Sequence, residues 1–162
     1  MATSPNPGIE VIQAGSFEHI EQARELFLEY ADSLGFSLSF QGFDEELKNL
    51  PGDYAPPSGR LLLAHHQGQA AGCVALRQLE RQVCEMKRLY VRPGYRGKSI
   101  GRMLVDCVIA EARSIGYERM RLDTIESSMQ DAIALYRRRG FREIAPYRSN
   151  PIAGALYLEL LL

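Results

Sequence analysis

The sequence predicts a single α/β domain in which helices flank a mixed sheet. Its 162 residues are enough for one domain with a hydrophobic core of its own. Hydrophobic residues make up 46% of the chain and charged residues 24%, which is typical of a soluble globular protein. Strand-like and helix-like segments alternate along the chain, with no internal repeat and no linker to a second domain. We therefore expect a flexible, proline-rich tail at 1–8 and one domain at 9–162.

The first part of the domain predicts one strand and two helices. Residues 9–14 are a short strand candidate, and Ser16 stands where a helix N-cap belongs. Apolar residues then recur at spacings of three and four, which predicts an amphipathic helix that ends before Gly35. Asp44 begins a short second helix, and Pro51 ends it.

The rest of the domain predicts a meander of three strands, followed by alternating helices and strands. Tight connections separate the meander strands, at 60–66, 70–79 and 83–91. The later elements are a helix at 100–115, a strand at 119–125, a helix that ends at 139, and strands at 141–145 and 155–162. Ser127 and Gln130 have the spacing of a capping box for the second of these helices. The apolar last strand leaves two alternatives, pairing across a homodimer or packing as an ordinary core strand.

Charge, hydropathy and cysteine content bound the functions that the chain can have. A net charge of −1 provides no basic field for binding nucleic acid or an anionic membrane. No apolar run approaches the roughly 20 residues that span a bilayer, and the opening residues lack the pattern of a signal peptide. Three cysteines without metal-ligand spacing are typical of reduced thiols in a cytosolic protein. We expect a cytoplasmic protein without a metal, whose partners are neither nucleic acids nor membranes.

The stretch YRGKSIGRML, at 95–104, joins a strand to a helix and combines two glycines with basic residues. The first turn of a helix has unpaired N–H groups and the positive end of the helix dipole, and glycine lets a ligand approach the backbone closely. This pattern indicates a phosphate site, although a solvated basic turn is an equally simple interpretation. The stretch lacks the spacing of a P-loop and of the dinucleotide-binding fingerprint.

Two segments resemble motifs of the GNAT superfamily of acetyl-CoA-dependent N-acetyltransferases. EMKRLYVRPGYRGKSIGRML, at 85–104, resembles the central strand, pyrophosphate loop and helix of that family, with Ser99 in the place of the middle glycine of the loop. AIALYRRRGF, at 132–141, resembles the family helix that carries a Leu-Tyr pair before Gly-Phe. The order of the predicted elements is also similar to the family over nearly the whole chain.

The resemblance implies a mostly antiparallel sheet in which two central parallel strands, here 83–91 and 119–124, splay apart. The pantetheine arm of acetyl-CoA would then lie in the gap, along Leu89, Tyr90 and Val91. The pyrophosphate would lie on the N–H groups of the loop and helix start: Arg96, Gly97, Lys98, Ser99, Ile100, Gly101 and Arg102.

The same resemblance implies direct attack of a substrate amine on the thioester, with Tyr136 as the general acid and the N–H of Leu89 facing the oxyanion. The alternative for Tyr136 is an amphipathic core residue. Glu85 is the candidate general base; by strand alternation it would share a face with Leu89, roughly 13 Å upstream. That distance needs a water chain or a strand bulge, and the alternative for Glu85 is a salt bridge to Lys87 or to a neighbouring strand.

Tyr147 and Asn150 lie between the last two strands and are the predicted contacts to the acceptor; their alternative is turn chemistry. The predicted function is thus acetyl transfer from acetyl-CoA to a primary amine of a small molecule or peptide. A non-catalytic acyl-CoA-binding module is the alternative, since it would keep the RGKSIG loop without needing Tyr136.

Overall fold

The computed structural model describes residues 8–39, 42–126 and 129–162. The strands are β1 (Ile9–Gln13), β2 (Arg60–His66), β3 (Gln69–Glu80), β4 (Val83–Val91), β5 (Arg119–Ile125), β6 (Arg142–Glu143) and β7 (Ala155–Leu161). The helices are α1 (Phe17–Ser33), α2 (Phe43–Lys48), α3 (Ile100–Ile115) and α4 (Gln130–Arg138), with short 3-10 turns at Gly52–Tyr54 and Pro93–Tyr95. Residues 1–7 of the predicted tail and the predicted cap Ser127 lie outside the described residues.

The strands form one seven-stranded sheet in the order β1-β2-β3-β4-β5-β7-β6. Every neighbouring pair is antiparallel except β4 and β5, which are parallel. Buried side chains of α3 and α4 pack on one face of the sheet, and those of α1 and α2 pack on the other. The predicted α/β fold, a mostly antiparallel mixed sheet flanked by helices, is therefore confirmed.

Local signals in the sequence account for most element boundaries. The Ser16 hydroxyl accepts a hydrogen bond from the backbone N–H of His19 at 3.1 Å, which makes it the N-cap of α1 as predicted. The predicted strand 141–145 is wrong in length, because only Arg142–Glu143 pair with β7. The backbone N–H of Phe141 instead donates to the carbonyl of Tyr136 at the end of α4, at 3.1 Å.

The C-terminal segment lies between β5 and β6 as a strand of the sheet. Pairing across a homodimer stays a prediction. Among the described residues, no helix is both long enough and apolar enough to cross a membrane.

The two parallel strands pair over only three residues of each: Val83 with Arg119, Cys84 with Met120, and Glu85 with Arg121. Both strands continue beyond the last of these pairs, β4 to Val91 and β5 to Ile125, without pairing to each other. The gap that opens between them is the predicted splay.

A β-bulge in β4 shifts the alternation of its side chains between the two faces of the sheet. Cys73 of β3 pairs with Tyr90, but Ala75 pairs with Lys87, so two residues of β4 oppose one residue of β3. The first of these two residues, Arg88, has a left-handed backbone with φ 61°.

The bulge makes the predicted common face of Glu85 and Leu89 wrong. Leu89 packs with the cluster under α3, together with Cys84 and Met86. Glu85 is opposite Arg77 of β3, on the other face of the sheet. The extra residue at the bulge shifts the alternation of side chains by one position, so spacing alone gave the wrong face.

Candidate active site

A cleft of about 710 Å³ occupies the gap between β4 and β5. Its walls come from the second half of β4, the loop after it, the start of α3, the end of β5 and the first two turns of α4. Side chains of α1, among them Tyr30, form its remaining wall. The cleft therefore brings together both segments on which the family resemblance rests.

The loop before α3 has the geometry of an anion cradle. Gly97 and Ser99 both have left-handed backbones, with φ 80° and 66°, and Ile100 begins the helix directly afterwards. Among the described residues, no side chain caps this helix start, so its first N–H groups can receive an anion. The guanidinium of Arg96 donates from Nε to the carbonyl of Val91 at 3.1 Å, which ties the loop to the end of β4.

Most of the predicted cofactor residues line this cleft. They are Leu89, Tyr90, Val91, Arg96, Gly97, Ser99, Ile100 and Gly101. Lys98 and Arg102 are not part of the lining. Arg92 is held away from an anion, because its guanidinium binds Glu29 and the carbonyl of Ala70.

Gly101 lies in the first turn of α3, facing Val91 across the cleft. A Cβ added to Gly101 would meet Val91 Cγ2 at 3.8 Å, an ordinary contact, and it would meet no closer atom. Packing within the protein therefore tolerates a small side chain here. Because Gly101 lines the cleft, a longer side chain can extend into it and compete with whatever the cradle binds.

Tyr136 of α4 lines the cleft as predicted and is nearly buried, with 6% of its surface exposed. Its ring packs against Phe141, with ring centroids 5.5 Å apart. Its hydroxyl makes no hydrogen bond to another described residue. Burial, followed by the neighbouring Tyr30, raises the pKa of its phenol, so the group stays protonated at neutral pH. Tyr136 is thus packed as a core residue and also lines the cleft, where a general acid would have to lie.

Glu85 is completely buried but does not line the cleft. Its Oε1 accepts from Arg77 Nε at 2.9 Å, and its Oε2 accepts from the Tyr147 hydroxyl at 2.8 Å. The guanidinium of Arg148 also binds Oε2, and Lys87 Nζ lies 3.9 Å from Oε1. Burial alone would raise the pKa of this carboxyl, but the surrounding cations, led by Lys87, hold it below its ordinary value.

The predicted acceptor residues Tyr147 and Asn150 do not line the cleft themselves, but each binds a residue beside it. The Tyr147 ring lies under the guanidinium groups of Arg121 and Arg148 while its hydroxyl holds Glu85. Asn150 Nδ2 donates to Asp123 Oδ2 at 3.3 Å. Both residues therefore lie next to the cleft rather than in its lining.

Sequence reasoning did not place several charged residues in the cleft lining, among them Lys87 and Asp123. Each is a charged residue inside a strand whose neighbours are mostly apolar, EMKRLYV and RMRLDTI. A charge in such a strand was the available signal, because it is costly to bury unless a partner or a ligand compensates it. Among the described residues, no group of three His, Cys, Asp or Glu side chains is arranged to hold a metal ion.

The sequence and the fold both match known acetyltransferases. Residues 20–141 match the family model described as the acetyltransferase (GNAT) family. An uncharacterized N-acetyltransferase of Schizosaccharomyces pombe is 39% identical over 145 residues, which cover 88% of each chain.

Solved structures of acetyltransferases share this fold. An acetyltransferase from Streptococcus agalactiae superposes with a TM-score of 0.78 at 21% identity, over 97% of this chain and 100% of the other. The structure of yncA from Salmonella typhimurium with its cofactor acetyl-CoA superposes with a TM-score of 0.67 at 18% identity, over 95% of this chain and 94% of the other. The chain therefore belongs to the GNAT family of acetyltransferases.

Proposed function

We propose that the protein transfers the acetyl group of acetyl-CoA directly to a primary amine of a small molecule or peptide. The observation that carries this proposal is the gap between β4 and β5, which joins the anion cradle to the hydroxyl of Tyr136. Membership of the GNAT family supports the reaction class. The similar fold of yncA, whose structure carries acetyl-CoA, supports the choice of cosubstrate.

Backbone groups would hold most of the cosubstrate. Beyond Glu85, the edge of β4 that faces β5 has no strand partner, so the amides of an extended pantetheine arm can pair with it at Leu89 and Val91. The N–H groups at the start of α3, behind the glycine and serine of the loop, suit the pyrophosphate.

The chemistry needs one nucleophile, one oxyanion donor and one acid. The neutral amine nitrogen attacks the thioester carbonyl carbon, the C–N bond forms, and the C–S bond breaks. We assign the backbone N–H of Leu89 to the developing oxyanion. The amine gives its surplus proton to water, the leaving thiolate takes the hydroxyl proton of Tyr136, and the tyrosinate regains a proton from solvent.

The contacts of Glu85 weigh against direct proton transfer to this residue. A carboxylate with a lowered pKa is a weak base, and Glu85 lies behind the cleft wall rather than in it. We propose instead that Glu85 neutralises the cations around it and fixes Tyr147 and Arg148.

The test is turnover of acetyl-CoA by the wild type and by Tyr136→Phe over a panel of primary amines. Chromatographic separation of acetyl-CoA and CoA is the suitable measurement, because the free thiol of Cys107, which is partly exposed, would react with thiol reagents. We expect Tyr136→Phe to lower kcat about 100-fold, the lower range of general acid catalysis, and to leave CoA binding unchanged. Tyr117→Phe is the matched control, since its hydroxyl binds the Ser58 carbonyl outside the cleft.

Two results would contradict the proposal in different ways. Failure of the wild type to bind CoA would exclude both an acetyltransferase and an acyl-CoA-binding module. Tight CoA binding without turnover of any amine would favour the non-catalytic module.

A further inference from the structure

Asp123 of β5 lines the cleft and is half-buried. It follows Arg121, the last residue of β5 that pairs with β4, by two positions, or roughly 6.6 Å along the strand. Asp123 therefore lies close to the point where the two strands separate. A carboxylate that is partly removed from water costs free energy unless a polar or oppositely charged group compensates it.

The described part of the chain compensates this carboxylate only weakly. Its one hydrogen bond to a described residue comes from Asn150 Nδ2, which donates to Oδ2 at 3.3 Å, and no described cation forms an ion pair with it. The cation two positions earlier on the strand, Arg121, instead binds Glu159 at 2.8 Å. The second oxygen of the carboxylate, Oδ1, has no hydrogen bond to a described residue.

Asn150 orients Asp123 without neutralising it. Oδ1 of Asn150 accepts a hydrogen bond from the backbone N–H of Ile152 at 2.9 Å, which fixes the amide group so that Nδ2 points to Asp123. An amide is a neutral donor, so the negative charge of Asp123 stays available to a ligand in the cleft.

Three tyrosines lie near this carboxylate. Burial is the main cause of the raised pKa of Tyr30, Tyr147 and Tyr157, and the charge of the carboxylate contributes to each. The hydroxyl of Tyr147 donates to Glu85, and that of Tyr157 donates to the carbonyl of Arg148, so neither compensates the carboxylate. Tyr30 lines the cleft and adds an aromatic ring, a group that attracts cations.

We infer that Asp123 binds the acceptor as an ammonium ion, so that the acceptor is an aliphatic primary amine that is cationic at neutral pH. The inference rests on the proposed N-acetyltransferase function and names the chemical class of the acceptor for it. An ammonium group can give Asp123 a charge-assisted hydrogen bond, whereas an alcohol or a weakly basic amine would leave its charge uncompensated. The bound ammonium loses a proton to water before the neutral nitrogen attacks.

The first test compares primary amines with the alcohols that share their carbon skeletons. The matched pairs are benzylamine with benzyl alcohol, butylamine with butanol, and amino acid amides with the corresponding hydroxy acid amides. Calorimetry measures binding to the protein in the presence of CoA, and mass spectrometry measures acetylated product in the presence of acetyl-CoA. We expect at least one amine to bind at least tenfold more tightly than its alcohol.

The pH dependence of binding identifies the form of the amine that binds. For an amine with a pKa of about 10, the neutral fraction falls about 100-fold between about pH 8.5 and about pH 6.5, while the ammonium fraction hardly changes. We expect the affinity of the wild type to change less than tenfold over this range. Burial lowers the pKa of Lys87, which also lines the cleft, to about 8, so Lys87→Met should remove any dependence that remains. A fall in affinity of about 100-fold would show that the neutral amine binds and would overturn the inference.

Substitutions at Asp123 connect the preference for amines to the carboxylate. We expect Asp123→Asn to weaken amine binding at least tenfold, mainly through KM in turnover, and to leave binding of the alcohol unchanged. Asp123→Glu keeps the charge and should retain more of the preference than Asp123→Asn. Asp32→Asn, at an exposed site on α1, is the matched control and should bind amines as the wild type does. The thermal midpoint of each variant shows that it is folded.

The remaining outcomes separate this inference from the proposed function. Equal binding of amines and alcohols by the wild type, including no binding of either, would overturn the inference. Turnover of amines that Asp123→Asn leaves unchanged would do so while supporting the proposed function. Amine binding that depends on Asp123, without any acetylated product, would support the inference about the site and contradict acetyl transfer.

Discussion

We expect Lys87→Met to raise the free energy of unfolding at neutral pH, although it removes a charged residue of the cleft lining. Only 8% of the Lys87 surface is exposed. Burial, and after it the neighbouring Arg88, lowers the pKa of the Lys87 ammonium from 10.5 to about 8. Protonating this amine therefore costs more free energy in the folded protein than in the unfolded chain, and the methionine variant avoids that cost.

The magnitude follows from the two pKa values. The difference between 10.5 and about 8 is about 2.5, which at ~1.36 kcal/mol for each pKa unit gives a penalty of about 3 kcal/mol. Between these pKa values the unfolded chain binds the proton and the folded protein does not, so wild-type stability rises with pH in this window. The penalty is then about half as large at about pH 9.5. The attraction between Lys87 and Glu85 is already included, because it acts on the same pKa.

Urea unfolding followed by circular dichroism, at about pH 7 and about pH 9.5, measures both quantities. We expect the free energy of unfolding of Lys87→Met to exceed that of the wild type by about 3 kcal/mol at the lower pH and by about half of that at the higher pH. Lys48→Met is the control, and its unfolding should match the wild type at both pH values, because its side chain is 73% exposed. A methionine variant that is less stable than the wild type would refute the reasoning. A difference in stability that does not change with pH would also refute it.

Three further substitutions test the cradle and the ion cluster. Ser99→Gly should raise the free energy of unfolding by about 1 kcal/mol, because glycine adopts the left-handed backbone without strain, and should keep or improve CoA affinity in calorimetry. Gly101→Val should fold normally but bind CoA at least tenfold more weakly than its control Gly101→Ala, and normal binding would exclude the cradle. Glu85→Gln should lower the free energy of unfolding by about 3–5 kcal/mol, since it leaves buried cations without their carboxylate. Because the folded pKa of Glu85 is lowered, this loss should be full above the ordinary carboxyl pKa and should shrink as the pH falls from there through the lower folded pKa; a loss that does not change with pH would contradict the ion-pair explanation.

Much of the fold could be predicted because its signals are local. The N-cap at Ser16 and the strand–loop–helix order around Ser99 are each encoded within a few residues. The cradle could be predicted for the same reason, since the glycine and serine at its turns stand next to the helix that supplies the N–H groups.

The bulge in β4 could not be predicted in this way, because contacts between distant segments determine it. Arg88 carries the left-handed backbone of the bulge, yet arginine has no intrinsic preference for that conformation. Two hydrogen bonds of 2.9 Å to Glu46 on α2, and the Phe43 ring 5.2 Å from its guanidinium, hold Arg88 in place. These partners lie more than forty positions away, so the local sequence carries no sign of the bulge.

The bulge determines which side chains of β4 lie on each face of the sheet. Without it, strict alternation would put Glu85, Lys87 and Leu89 on one face of β4. With it, Lys87 faces α1, whereas Leu89, only two positions later, faces α3. Both residues nevertheless line the cleft, so one short segment of β4 contributes to it from both faces. Glu85 lies before the bulge, opposite Arg77 and on the same face as Lys87, so the carboxylate expected to act as a base is instead bound by cations behind the cleft wall.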